Sequence, residues 1–145
     1  MNKMKQNRRE AREAAFCLLF EWSFQPDETM ESLLEAGGDD REPPAGEFAC
    51  LLCARAMESV QELDGLISAF SAKWKLSRIS KVSLAALRLA FCELTKFSDI
   101  PPGASVNEAV ELVKAFGAED EATYVNGILG AYLRSKETKK TPDNP

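Results

Sequence analysis

The stretch DIPPGASVNEAVELVKAFGAEDEATYVNGILGAYL, Asp99 to Leu133, spells out two helices with a stop between them. Pro101 and Pro102 block any helix running in from upstream, and Pro102 biases Pro101 towards an extended conformation. Ser105 followed by Glu108 has the spacing of a capping box, in which the hydroxyl accepts from the amide of residue 108 and the carboxylate returns to the amide of Ser105. Val106, Ala109, Val110, Val113 and Phe116 then share one apolar face at helical spacing, and Gly117 follows where a left-handed stop is wanted. Glu119 and Asp120 place negative charge at the positive end of the next helix. That helix is expected to bury Tyr124, Val125, Ile128, Leu129 and Leu133.

The same rules extend outward. A first helix is expected from Arg8 to Ser23, with Ala11, Ala15, Leu18, Leu19 and Trp22 on one face and Arg9, Arg12, Phe16 and Phe20 along a second stripe. Pro26 and Asp27 open a second helix through Ala36, with Asp27 as its cap. Residues 37–46, GGDDREPPAG, form a polar loop, the place for mobility or variation in length. One long helix spans Glu47 to Ala72, Trp74 and Leu76 pack at the junction after it, and Val82 to Phe97 is apolar almost all round. No strand pattern emerges. The fold class is therefore all-α, about seven helices in two packed sub-bundles, with one domain over residues 1–135. The polar tail, 136–145, is expected to be disordered.

Composition fits this. A chain of 145 residues suffices for one core. It has no apolar run of about eighteen residues for a membrane span and no secretory pattern at its polar, basic start. Four cysteines without framework spacing fit a reducing cytoplasm. The net charge of −5 argues mildly against nucleic acid, but its distribution matters more than its sum. Lys3, Lys5, Arg8, Arg9 and Arg12 crowd the first twelve residues, opposed there only by Glu10, whereas Asp27 to Glu47 carries eight carboxylates against Arg41 alone.

Little here supports catalysis. There is no histidine, the commonest general base and zinc ligand, and no phosphate loop or nucleophile elbow. Cys50 and Cys53 match C-x-x-C, but within an apolar helix a zinc site needs two more ligands, and core packing is the better account. The Arg9–Arg12–Phe16–Phe20 stripe has two readings. One is solvated arginines beside core rings; the other is single-stranded RNA lying along the helix, with arginines on phosphates and a ring offered to a base.

The blocks VNEAVEL (106–112), FGAED (116–120) and YVNGIL (124–129) resemble the C-terminal signature of the NusB family. LRLAFCEL (87–94) resembles its central helix, and RREAREAA (8–15) its basic N-terminal helix. The blocks stand in family order across about residues 8–135. The resemblance implies an RNA-binding transcription antitermination factor with no cofactor and no catalytic or metal site. Its implied partners are boxA RNA of ribosomal RNA transcripts, NusE (a small-subunit ribosomal protein) and an RNA polymerase antitermination complex, with no membrane involved. It implies RNA contacts at Arg8, Arg9, Arg12, Phe20, Asp120 and Tyr124, and partner contacts at Ser83 and Asp120. Phe16 is expected in the core. Asn107, Asn126 and Gly127 are expected to serve packing.

The chain also departs from the family pattern. Ser83 stands where Asp or Glu is common, Glu121 where Ser is usual, and Thr123 where Lys or Arg is usual. Glu121 and Thr123 remove positive charge from the suspected RNA face, so intrinsic RNA affinity is expected to be weaker. The rival expectation is a non-catalytic protein-interaction module on the same scaffold, with weak or lost RNA recognition.

Overall fold

The computed structural model describes residues 6–140, with side chains to residue 137. Lys3, Lys5 and the tail beyond residue 140 lie outside the described residues. Seven helices make up this region: α1 (Arg8–Phe24), α2 (Met30–Gly37), α3 (Glu47–Glu58), α4 (Val60–Phe70), α5 (Lys81–Lys96), α6 (Pro102–Phe116) and α7 (Glu119–Lys140). Gly38–Asp40 and Leu76–Arg78 form 3-10 turns, and no strand occurs among the described residues.

The central element is α5. Leu84 to Cys92 is buried except at Arg88, because α1, α3, α4, α6 and α7 all pack against this helix. It joins α1 and α3 to α4, α6 and α7 in one continuous core. Phe91 is fully enclosed and meets the edge of Tyr132 with ring centroids 5.1 Å apart, where truncation to alanine costs about 3–5 kcal/mol. Cys53 and Cys92 are also fully buried, and desolvation pushes both thiols up to about 12. The face of α1 expected to be apolar, Ala11 to Trp22, is buried throughout.

Several local expectations change. The cap of α2 is Thr29, not Asp27: Thr29 is extended and its hydroxyl accepts the amide of Ser32 at 3.0 Å. Gly38 ends this helix at φ 62°, a backbone open to glycine and strained for other residues. The loop that follows is fastened rather than loose. Arg41 donates to Glu21 on α1 at 2.6 and 2.9 Å and to the Leu33 carbonyl at 3.1 Å. The helix expected over 47–72 is broken at Ser59, which sits at φ −102° and ψ 14°. On one side α3 packs on α1 and α5; on the other α4 packs on α5 and α7. The two halves follow different neighbours, which no residue type in the sequence announces.

The opening stretch changes most. α6 starts at Pro102 behind an extended Pro101, so Ser105 lies inside the helix and caps nothing. Gly117 stops it in an extended conformation, φ −126° and ψ −165°, not a left-handed one. Space explains the glycine: a Cβ there would sit 3.1 Å from the Val113 carbonyl oxygen and 3.2 Å from Val82 Cγ1. The buried stripe of α6 is Ser105, Ala109, Leu112 and Val113, while Phe116 is 46% exposed. In α7, Ala122 and Tyr132 join Val125, Ile128 and Leu129 in the core; Tyr124 and Leu133 are half-buried. Asn107, Asn126 and Gly127 are exposed, and a Cβ on Gly127 would meet nothing, so none of the three brings helices together. α7 continues through Lys140, past the point at which a disordered tail was expected.

Candidate nucleic-acid interface

α1 begins where Asn7, in extended backbone, accepts the amide of Glu10 on its side chain at 2.8 Å. Arg8 and Arg9 therefore occupy the first helical turn, where unpaired amides and the helix dipole already concentrate positive potential. Two guanidiniums at this end disfavour the helix locally but make the turn attractive to an anion. Upstream the chain is held in place: Gln6 donates to the Pro44 carbonyl at 2.7 Å and accepts from the Gly46 amide at 3.2 Å.

The three arginines of this helix have different fates. Arg8 is exposed, with its guanidinium carbon 3.6 Å from the centroid of the Phe48 ring on α3. Arg9, with 70% of its side chain exposed, makes a two-pronged contact with Glu108 of α6 at 3.2 and 3.0 Å. That hydrogen bond, assisted by the carboxylate charge, raises the Arg9 pKa. Arg12 turns inward. Its Nε donates to Glu93 Oε2 at 2.8 Å, and Ser105 donates to the other Glu93 oxygen at 2.6 Å. Arg12 is 7% exposed and Glu93 1%. Arg12 therefore locks α1 to α5 and α6 and is not available to a phosphate, which corrects its assignment as an RNA contact.

Phe16 is in the core, as its spacing suggested, and meets Phe116 at 5.2 Å. Phe20 is half-buried between Phe16 at 6.4 Å and Phe24 at 5.0 Å. It lies eleven residues, about 16 Å of helix, beyond Arg9, so it belongs with an aromatic patch rather than with the basic turn. Phe24 is 58% exposed there. A cleft of about 340 Å³ among Phe16, Phe20, Val82 and Phe116 completes the patch. Ser83, assigned to a partner contact and next to Val82 in the chain, is 1% exposed. Its amide donates to Ser80 as part of the α5 cap, and burial removes it from any partner's reach.

Asp120 and Tyr124 lie on α7, beyond the aromatic patch. Asp120 is exposed in the first turn, where it suits the helix dipole. Tyr124 is half-buried and its hydroxyl lies 2.6 Å from Ser71 Oγ. Ser71 spends its single proton on the Trp74 carbonyl at 2.7 Å, so Tyr124 must donate. Its ring also meets Trp74 at 4.6 Å and 61°. Trp74 packs at the junction, as expected, through this ring contact, yet stays 38% exposed. The assigned residues still within reach of solvent thus fall in three places: Arg8 and Arg9 at one end of the α1–α6 pair, Phe20 in the aromatic patch, and Asp120 and Tyr124 past the other end. Sequence spacing could not reveal this division because it depends on how α1 and α6 lie together.

No group of three or more Cys, Asp or Glu side chains able to hold a metal occurs among the described residues, and no described helix is long and apolar enough to cross a membrane. The sequence matches the NusB family over residues 9–134. It is 38% identical over 133 residues to the transcription antitermination protein NusB of Desulforamulus reducens, which spans 90% of this chain and 92% of that protein. A solved NusB of T. maritima superposes with a TM-score of 0.78 at 39% identity, covering 88% of this chain and 91% of that one. A crystal structure of the antitermination factors NusB and NusE in complex with dsRNA gives 0.75 at 28% identity, covering 91% and 99%.

Proposed function

The chain belongs to the NusB family, and on that premise we propose that it is an RNA-binding transcription antitermination factor that works with NusE. Family membership across residues 9–134 carries this reading. The exposed Arg8 and Arg9 at a helix N-terminus support it, since they present charge and amides where a phosphate backbone would lie. The role is binding and not catalysis. We assign boxA of ribosomal RNA transcripts as the RNA, an antitermination complex on RNA polymerase as the assembly, and the cytoplasm as the site of action. Arg8 and Arg9 capture phosphates; Asp120 and Tyr124 form a second, less basic corner. The aromatic patch around Phe20, Phe24 and Phe116 is the surface offered to the protein partner, because an exposed apolar patch on a small domain marks an interaction site.

Fluorescence anisotropy of labelled boxA RNA, with and without NusE, tests the assignment. Wild type should bind, more tightly with NusE, and Arg8→Ala/Arg9→Ala should weaken binding and flatten its salt dependence. Absence of binding under both conditions overturns it. One observation favours a second reading, a protein-interaction module with little RNA recognition: Arg12 is consumed inside the fold and Arg9 is already paired with a carboxylate. That reading predicts NusE binding without RNA binding.

A further inference from the structure

Between Asp64 and Glu93 the chain holds five cations and no carboxylate, although its net charge is −5. Arg88 is taken by Asp64, through two hydrogen bonds of 2.9 Å. The other four, Lys73, Lys75, Arg78 and Lys81, are exposed along the α4–α5 connection, and none is in an ion pair among the described residues. Trp74 stands among them. Its ring rests against Tyr124, and its carbonyl is held by Ser71. Below it the backbone closes a 3-10 turn, with Arg78 donating to the Lys75 carbonyl at 2.8 Å, and Ile79 enters the core. The platform is therefore built in advance. Beside it lies a cleft of about 320 Å³ lined by Ser68, Ser71, Lys73, Trp74, Lys75 and Leu76.

We propose that this connection is a second contact for single-stranded nucleic acid, in which Trp74 stacks a base and Lys73 and Lys75 hold the flanking phosphates. It rests on the RNA-binding reading and extends it from α1 and the Asp120–Tyr124 corner to the α4–α5 connection. A part-exposed indole packed on Tyr124, between cations outside any ion pair, suits a base and its phosphates, since stacking needs only a π-face and phosphates need only positive charge. Lys73 Nζ lies 4.8 Å from the indole centroid, a weak exposed cation–π contact that a stacked base replaces, releasing the ammonium to a phosphate. Glu119, Asp120 and Glu121 are the carboxylates of the first turn of α7, the helix that carries Tyr124. Tyr124 supports the indole from α7, its ring against Trp74 and its hydroxyl on Ser71.

The chain has two tryptophans, and Trp22 is buried, so a Trp22→Phe background makes Trp74 the only reporter. Full-length protein is titrated with single-stranded boxA RNA, bare and extended at both ends, at several salt concentrations. Trp74 emission should be quenched, more by the extended RNA. Lys73→Ala/Lys75→Ala should lower the salt slope by about 1.4, at about 0.7 per single-strand phosphate. Trp74→Leu should weaken binding about 5- to 30-fold while the melting curve stays close to wild type. Unquenched emission and an unchanged slope, in protein whose binding still depends on Arg8 and Arg9, overturn this surface and leave the function standing. If the lysine variant loses NusE but keeps RNA, the surface belongs to a protein and the proposal also fails. If wild type binds no RNA with or without NusE, both readings fall together.

Discussion

Replacing Arg12 with methionine separates a structural arginine from an RNA-binding one. The substitution keeps an unbranched apolar stem but removes the guanidinium, leaving the Glu93 carboxylate at 1% exposure with Ser105 as its remaining partner. Breaking a buried pair from one side costs about 3–5 kcal/mol, because the remaining charge is uncompensated. For a domain of this size each kcal/mol moves the melting temperature by about 3–4 °C, so Arg12→Met should melt roughly 10–18 °C below wild type. Removing both charges avoids the orphan: Arg12→Met/Glu93→Leu should recover most of the loss, short of about 1–2 kcal/mol for the Ser105 hydroxyl left without an acceptor. Circular dichroism melts and urea titrations of the wild type, two single variants and the double variant give the coupling energy directly. RNA binding is then read below the transition, where the salt slope of Arg12→Met should match wild type. A wild-type melting temperature together with a slope lowered by about 0.7 would show Arg12 on a phosphate and refute the burial argument.

The Arg9–Glu108 contact sets a carboxylate where an RNA phosphate must compete. Glu108→Gln should tighten RNA binding at low salt without moving the melting curve; weaker binding would mean that Glu108 orients Arg9 for the RNA. The two α6–α7 glycines should behave oppositely in urea unfolding. Gly117→Ala should cost about 1–2 kcal/mol by crowding the Val113 carbonyl and Val82, whereas Gly127→Ala, exposed in a helix, should gain about 0.5–1 kcal/mol. Cys53 and Cys92 predict an alkaline limit. Their thiols titrate near 12 in the fold against 9.0 when exposed, so above pH 9 the unfolded chain loses protons that the native state keeps. Through these two thiols stability should fall above pH 9 by roughly 1 kcal/mol per pH unit per thiol towards pH 12; Cys53→Ala/Cys92→Ala should lose that part of the slope and keep what the raised Cys17 and Cys50 thiols add.

Helix existence was legible because periodicity and punctuation are local. The buried face of α1, the all-round apolar α5 and the two-helix ending follow from spacing alone. What failed depended on residues distant in sequence. Ser105 has the spacing of a cap, yet α6 starts earlier and its hydroxyl serves Glu93, twelve residues back. The break at Ser59 comes from two sets of neighbours. Arg12 and Arg9 stand three residues apart on one basic helix, but Glu93 buries the first and Glu108 covers the second. The residues missed at the α4–α5 connection did leave a signal: a stretch from 65 to 92 without a carboxylate, in an acidic chain. Only the exposure of Trp74 required the structure.

The place of α5 also dictates the order in which this protein can become competent during synthesis. α1, α3 and α4 are made first but close against a helix whose residues, 81–96, emerge later. Until then the apolar faces of the first eighty residues have only one another, a condition suited to chaperone capture or aggregation. The lock on α1 comes later still, since Arg12 needs Glu93 and Glu93 needs Ser105. Chains arrested before α6 should therefore expose α1 to protease, and release past residue 116 should protect it. The basic helix is translated first and becomes rigid only after most of the chain has been made.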